Sequence, residues 1–138
     1  MPIAEYAYKL DPVAHQPNPV GGFEINGIPD ILAINNHQLL VIERSFSVGR
    51  KASTIKLYIG ELNGATDVSN TLSLKAGDFH PIKKKLLLNM DNLGIFTDNI
   101  EGLTLGPTLS NGHQSLIFVS DNNFSDEQVT QLLLFELQ

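Results

Sequence analysis

The sequence predicts an all-β protein made of two four-stranded antiparallel repeats, β-propeller-like and amounting to part of a propeller. Three observations lead there. No segment sustains a 3.6-residue apolar period, so no amphipathic helix is expected. Short apolar runs recur instead, separated by Gly, Asn, Pro and Ser, the residues that turns require. The chain also resembles itself. His37-Gln38-Leu39-Leu40-Val41-Ile42-Glu43-Arg44-Ser45-Phe46-Ser47 is similar to the run from His113 to Ser125 at an offset of 76, and Leu57–Leu62 to Leu132–Leu137 at 75. Asn26-Gly27-Ile28-Pro29-Asp30-Ile31 takes the place of Asn99-Ile100-Glu101-Gly102-Leu103. Four antiparallel strands per repeat is the unit of a propeller blade. A plain two-sheet sandwich is the alternative.

In order, Ile3–Leu10 alternates apolar and polar residues as a half-buried strand does, with Tyr6 and Tyr8 two apart. Asp11–Gly22 holds Pro12, Pro17 and Pro19 and then Gly21-Gly22, a long loop. Ile28–Ile34 reads as a strand with Pro29 near its start, where a missing donor is tolerated. Asn35-Asn36 marks a turn, Leu39–Ile42 an apolar strand ending in Glu43-Arg44, and Ser45–Ser53 a polar loop. Thr54–Leu62 is a strand with Ile55, Leu57 and Ile59 on one face, closed by Asn63-Gly64. Ala65–Phe79 is irregular, and Ile82–Met90 is a strand opening with Lys83-Lys84-Lys85. Two more strands follow around a turn at Asn111-Gly112. In Asp126–Leu137, Glu127, Gln128 and Gln131 favour a short helix, but Leu132-Leu133-Leu134-Phe135 fits a buried strand better. One domain spans 1–138, with repeat one at about 1–64 and repeat two at about 80–138.

The 138 residues, 42% hydrophobic, suffice for one modest core. No run approaches the roughly 20 apolar residues of a membrane helix, and Met1–Leu10 has no apolar signal core, so the chain as given is read as soluble and free of membrane contact. The compartment is left open, a piece of an exported protein included. With no cysteine, disulfides, thiolate nucleophiles and Cys-based zinc sites are excluded. A net charge of −6 argues against nucleic acid. The lysine run reads as a solvated strand start that discourages edge pairing, with an anion or membrane contact as the sharper alternative.

Chemistry concentrates between Asp98 and Ser125. If its two strands pair antiparallel, Asn99, Glu101, Ser120, Asp121, Asn122 and Asn123 gather at one end of the hairpin. In the first repeat their counterparts are Asp30, Glu43 and Arg44. Carboxylates and amide oxygens without sulfur suit calcium or magnesium, which makes Asn99, Glu101, Asp121 and Asn122 the candidate metal ligands. The same groups suit acid–base work on a bound water, with Glu101, Asp121, Glu43 and Arg44 as candidate catalytic residues. Asp and Asn also stabilise turns through Asx geometry, which is the plainer account of Asn122 and Asn123. Arg44 suits either a structural bridge or an anionic substrate. The four histidines show no metal spacing, and neither a serine-hydrolase elbow nor a Gly-rich phosphate loop is present.

The strings Ile28-Pro29-Asp30-Ile31, Leu40-Val41-Ile42-Glu43-Arg44-Ser45-Phe46, Asp98-Asn99-Ile100-Glu101-Gly102 and Val119-Ser120-Asp121-Asn122-Asn123-Phe124 resemble the C-terminal part of the phytase-like family called "esterase-like activity of phytase". The resemblance runs over about residues 20–138. It implies a propeller-like domain whose acidic residues serve ester or phosphoester hydrolysis, with Glu43, Arg44, Asn99, Glu101, Asp121, Asn122 and Asn123 at its polar motifs. Members of the family are longer, and this chain matches their last two repeats.

Two expectations complete the reading. The domain hydrolyses a small-molecule ester or phosphoester, with calcium or magnesium as the possible cofactor; alternatively it is a non-catalytic propeller fragment that binds a ligand or partner. Two blades leave apolar faces open, so a homo-oligomer is expected.

Overall fold

Residues 3–50, 52–75 and 77–137 are described in a computed structural model and form two antiparallel sheets. The first contains β1 (Glu24–Gly27), β2 (Ile31–Ala33), β3 (Gln38–Ser47), β4 (Thr54–Glu61) and β5 (Lys83–Asn89). Its order is β1-β3-β4-β5, with β2 also paired to β3. The second contains β6 (Ile100–Thr108), β7 (Gln114–Ser120) and β8 (Gln131–Glu136) in that order. A 3-10 turn, Met90–Leu93, leads from one sheet toward the other; Asn89 caps it and Gly94, at φ 70°, ends it. Neither sheet closes or curls.

The all-β reading holds, and the hairpin turns fall at Asn35-Asn36 and Asn111-Gly112 as expected. The strands divide five and three rather than four and four. The strand beginning near Lys83, expected to open the second repeat, pairs with β4 and sets Leu88 against Leu57 and Lys83 against Glu61. The first strand of the first sheet is not Ile3–Leu10, where Tyr6 makes only one bridge, to Asp67. It is β1 and β2, which pair with the two halves of β3. Gly27 faces Arg44 and Ile31 faces Val41, so one extra residue lies between them, and Pro29 stands in that break without an N–H to offer a ladder. The last segment is a strand, β8.

Register refines the repeat. Leu40–Ile59 and Ile42–Leu57 in the first sheet correspond to Leu116–Phe135 and Phe118–Leu133 in the second. The offset is 76 for both strands, so Leu57 answers to Leu133, not to Leu132. The turns correspond as well. Asn35 Oδ1 accepts from His37 N at 2.8 Å, and Asn111 Oδ1 accepts from His113 N at 3.1 Å.

Alternation along β3 separates two environments. Leu40 and Ile42 face the second sheet and pack with Ile55, Leu57, Ile100, Leu103, Leu116 and Phe118. Phe118 meets Phe135 edge-on, with centroids 5.3 Å apart. The alternate residues Glu43, Ser45 and Ser47 face the other way. The sequence expectation of an open outer face fails here, because the chain's own first segment covers it. Ala14 N donates to Ser45 Oγ at 2.9 Å, and Ser47 Oγ donates to His15 O at 2.6 Å.

Glu43 is 2% exposed, and a buried carboxylate must be paired and hydrogen-bonded to be tolerated. Its Oε1 accepts from Tyr8 OH at 2.9 Å and pairs with Lys84 Nζ. Its Oε2 accepts from Asp11 N and Asn26 Nδ2, each at 3.0 Å. Lys84 also reaches Asp11 at 2.8 Å and lies 4.4 Å from the centre of the Tyr58 ring. Burial, and then the hydrogen bond to Glu43, pushes the Tyr8 hydroxyl pKa up, so it stays a donor. The hydrogen bond from Lys84, then that from Tyr58, holds the Asp11 carboxyl below its usual range.

Two outcomes follow. Phe118→Ala should cost about 3–5 kcal/mol in urea denaturation, with one cooperative transition because both sheets share its core. Asp11→Asn should lower stability at neutral pH. A carboxyl whose folded pKa lies below its unfolded value contributes stability above that unfolded value and loses it as pH falls through the folded one. The gap between wild type and Asp11→Asn in thermal melts should therefore close as pH drops below the unfolded value of 3.8.

Candidate functional site

The start of β6 and the end of β7 meet where Ile100 pairs with Ser120. Gly102 then pairs with Val119, so Glu101 is the extra residue of a β-bulge. A bulge breaks the in–out alternation and re-aims a side chain. Ile100 and Leu103 both enter the core, and Glu101 is left half-exposed between them, turned toward the first sheet. There Arg44 Nη1 approaches Glu101 Oε1 at 3.4 Å, with the two side chains 31% and 38% exposed. Asn99 Nδ2 donates to the same oxygen at 2.7 Å.

Backbone contacts fix the corner beneath this pair. Asp30 Oδ2, from the break between β1 and β2, accepts from Leu103 N at 2.9 Å across the sheets. Asp98 is buried, its Oδ1 accepting from Asn99 N at 2.7 Å and its Oδ2 from Val129 N at 2.6 Å. It thereby ties the entry of β6 to the loop before β8. Gln131 continues the tie, accepting from Asp98 N at 2.8 Å and donating to Phe96 O at 3.2 Å.

The polar residues after β7 form a turn. Asn122 Oδ1 accepts from Phe124 N at 3.3 Å, and Asn123 Nδ2 donates to Gln128 Oε1 at 2.9 Å. Asn123 and Phe124 adopt left-handed backbone with φ 48° and 55°. Asn tolerates that region, and Phe124 is fully exposed. Asp121 follows Ser120 at the same hairpin end as Glu101, and its side chain is exposed. Among the described residues no three of His, Asp and Glu gather as a metal-ligand cluster.

The structure thus brings Arg44, Glu101 and Asn99 into contact and sets Asp121 and Asn122 at the same end of the second sheet. It places Glu43 elsewhere, on the opposite face of β3, because consecutive strand residues point apart. A pocket of about 280 Å³ opens beside Asn99, with Phe46, Arg50, Phe96, Asp98 and Glu127 in its wall. Arg50 is pinned there by donating to Gln16 O at 3.1 Å. Sequence reasoning passed over Arg50 and Phe96, which sit in loops without a pattern. It read Lys84 as part of one solvated run, although alternation within Lys83-Lys84-Lys85 sets it apart: its neighbours are exposed, and it is 16% exposed on the Glu43 side.

A family model described as phytase-like, esterase-like activity of phytase, matches residues 1–124. No curated protein and no solved structure matches the chain. With most of its length matched, the chain belongs to the phytase-like family, esterase-like activity of phytase.

Proposed function

We propose that the domain hydrolyses an ester, a phosphoester or a carboxylic ester, at the corner between the sheets. The observation that carries this reading is Arg44 of one sheet set 3.4 Å from Glu101 on a bulge of the other, both partly open to solvent. Family membership supports the reaction class. A guanidinium binds phosphate or carboxylate oxygens through paired N–H groups. An anionic phosphoryl oxygen, or the carbonyl oxygen of a carboxylic ester, replaces Glu101 on Arg44 and leaves the carboxylate beside the scissile centre. Glu101 then takes a proton from the attacking water, whose oxygen bonds to phosphorus or to the acyl carbon. The ester bond breaks, and the leaving alkoxide takes its proton from the protonated Glu101 or from solvent. Asn99 holds Glu101 in place. The substrate's alcohol portion lies in the pocket bounded by Phe46 and Phe96. Glu43 is a positioning residue, fixing β3 and with it Arg44.

A hard cation at the same corner is a second proposal. Asn99, Glu101, Asp121 and Asn122 offer carboxylate and amide oxygens for calcium or magnesium. Arg44 opposes it, since a divalent cation must displace that guanidinium from Glu101. The residues present fit an anion better than a cation.

We also propose that the two sheets are successive propeller blades. The uniform offset of 76 through β3/β7 and β4/β8 supports this, as do the paired Asx turns. The extra residue between β1 and β2 is repeated at the bulge of β6.

Assays with p-nitrophenyl phosphate and p-nitrophenyl acetate test the main reading. Removing a general base costs about 10²–10⁴-fold, so Glu101→Gln should lose at least about 100-fold in kcat with an unchanged melting temperature. Arg44→Lys should act mainly on KM. Wild-type protein that binds phosphate without turning over either ester would favour the non-catalytic binding module. Calorimetry with calcium and magnesium tests the second reading. A cation site requires binding that disappears in Glu101→Gln/Asp121→Asn and tightens in Arg44→Ala.

A further inference from the structure

Cross-strand neighbours in an antiparallel pair point to the same face of a sheet. Gly27 of β1 is the neighbour of Arg44, and Ile25 is that of Phe46. The side chain that would lie against Arg44 from β1 is therefore missing. A recess of about 110 Å³ takes its place, walled by Ile25, Gly27, Ile28, Pro29 and Arg44. The break between β1 and β2 supplies two of these walls, because Ile28 and Pro29 stand outside the ladder there. A Cβ added at Gly27 would meet nothing within 4 Å, so the space beside Arg44 is open. Arg44 is the charged wall of the recess, and Ile25, Ile28 and Pro29 offer hydrocarbon.

We propose, resting on the hydrolytic reading of the corner, that this recess holds the acyl group of the substrate and restricts the corner to esters of short-chain carboxylic acids. A phosphoryl group has no hydrocarbon to place there. A carbonyl oxygen on the Arg44 guanidinium sets the acyl carbon beside Arg44. That residue walls the recess, whereas the larger pocket opens beside Asn99, between Phe46 and Phe96. The acyl chain accordingly enters the recess and the alcohol portion the larger pocket. An apolar cavity of roughly 150 Å³ holds a benzene ring, so this smaller one holds an acyl group of up to about four carbons. Water adds through its oxygen to the acyl carbon as Glu101 takes one of its protons, and Arg44 faces the oxyanion that forms. The bond to the alcohol oxygen then breaks, and the alkoxide takes the proton from Glu101. The acid gives its remaining proton to solvent, and the carboxylate product stays paired with Arg44 until it leaves.

Straight-chain carboxylates from acetate to hexanoate are the acid products of such esters, and they probe the recess without turnover. In amide NMR titrations, affinity should rise about fourfold for each added methylene as far as butyrate and level off beyond it. Gly27 has ordinary strand backbone, so Gly27→Val adds its methyl groups to the recess without a strained φ and should end the rise at acetate. Ile28→Ala enlarges the recess and should carry the rise on to hexanoate. A general loss of structure does not move the limit in both directions. The p-nitrophenyl esters of the same acids should show the same limits in kcat/KM, in the wild type and in both variants. Affinity independent of chain length in the wild type, or a limit that neither variant moves, overturns the proposal. Turnover of p-nitrophenyl phosphate but of none of the acyl esters also overturns it, and leaves the hydrolytic reading standing. Chain-length-limited binding with no ester turned over bears out the acyl-sized recess and overturns the hydrolytic reading instead.

Discussion

A carboxylate buried in the middle of a sheet sets the course of much of this chain. Glu43 lies on the face of β3 turned away from the second sheet, and at 2% exposure it has almost no water to solvate it. Its oxygens are satisfied by Tyr8, Asp11, Asn26 and Lys84, which come from the first segment, β1 and β5. Leaving such a charge unpaired costs several kcal/mol. The first segment must therefore cross β3, and β5 must lie where Lys84 reaches inward. The face a lone two-blade unit would leave open is closed by the chain itself. Among the described residues, Asn26 Oδ1 is buried beside this network without a hydrogen-bond partner.

With one face of β3 closed in this way, the other is free to meet the second sheet. Leu40 and Ile42 enter the common core there, and Arg44, next in the same alternation, emerges at its rim. The Arg44–Glu101 pair itself contributes little, since partly exposed ion pairs are worth about 0–1 kcal/mol. The corner is held by what lies under it: Ile100 and Phe118 in the core, the Asp30–Leu103 link and the two hydrogen bonds of Asp98. A weak pair over a rigid support suits exchange. The guanidinium is already in place, so the proposed anion would replace Glu101 at small cost.

Strand positions were legible because alternation and turn residues act locally. The repeat was legible because β3 and β7, like β4 and β8, present the same apolar sequence to the same core. Two matters were hidden. The partner of the Lys83–Asn89 strand was assigned to the wrong sheet, since pairing depends on the long 62–82 connection and on Lys84 meeting Glu43, and neither leaves a local mark. The separation of Glu43 from Arg44 was visible in principle, because neighbours on a strand face opposite ways. Reading the two as one motif obscured it. The hairpin end holding Asn99, Glu101 and Asp121 was found from sequence, whereas the bulge that turns Glu101 toward Arg44 was not, because the extra residue shows only in the pairing.

The central claim is that this corner receives an anionic group, and a titration of isotope-labelled protein with inorganic phosphate, followed by amide NMR shifts, tests it most directly. The account predicts saturable shifts confined to Gly27, Arg44, Asn99, Glu101 and Gly102, absent in Arg44→Ala, with Asp11 and Glu43 unmoved. Shifts centred on Asp11 and Lys84, or none at millimolar phosphate, would contradict it.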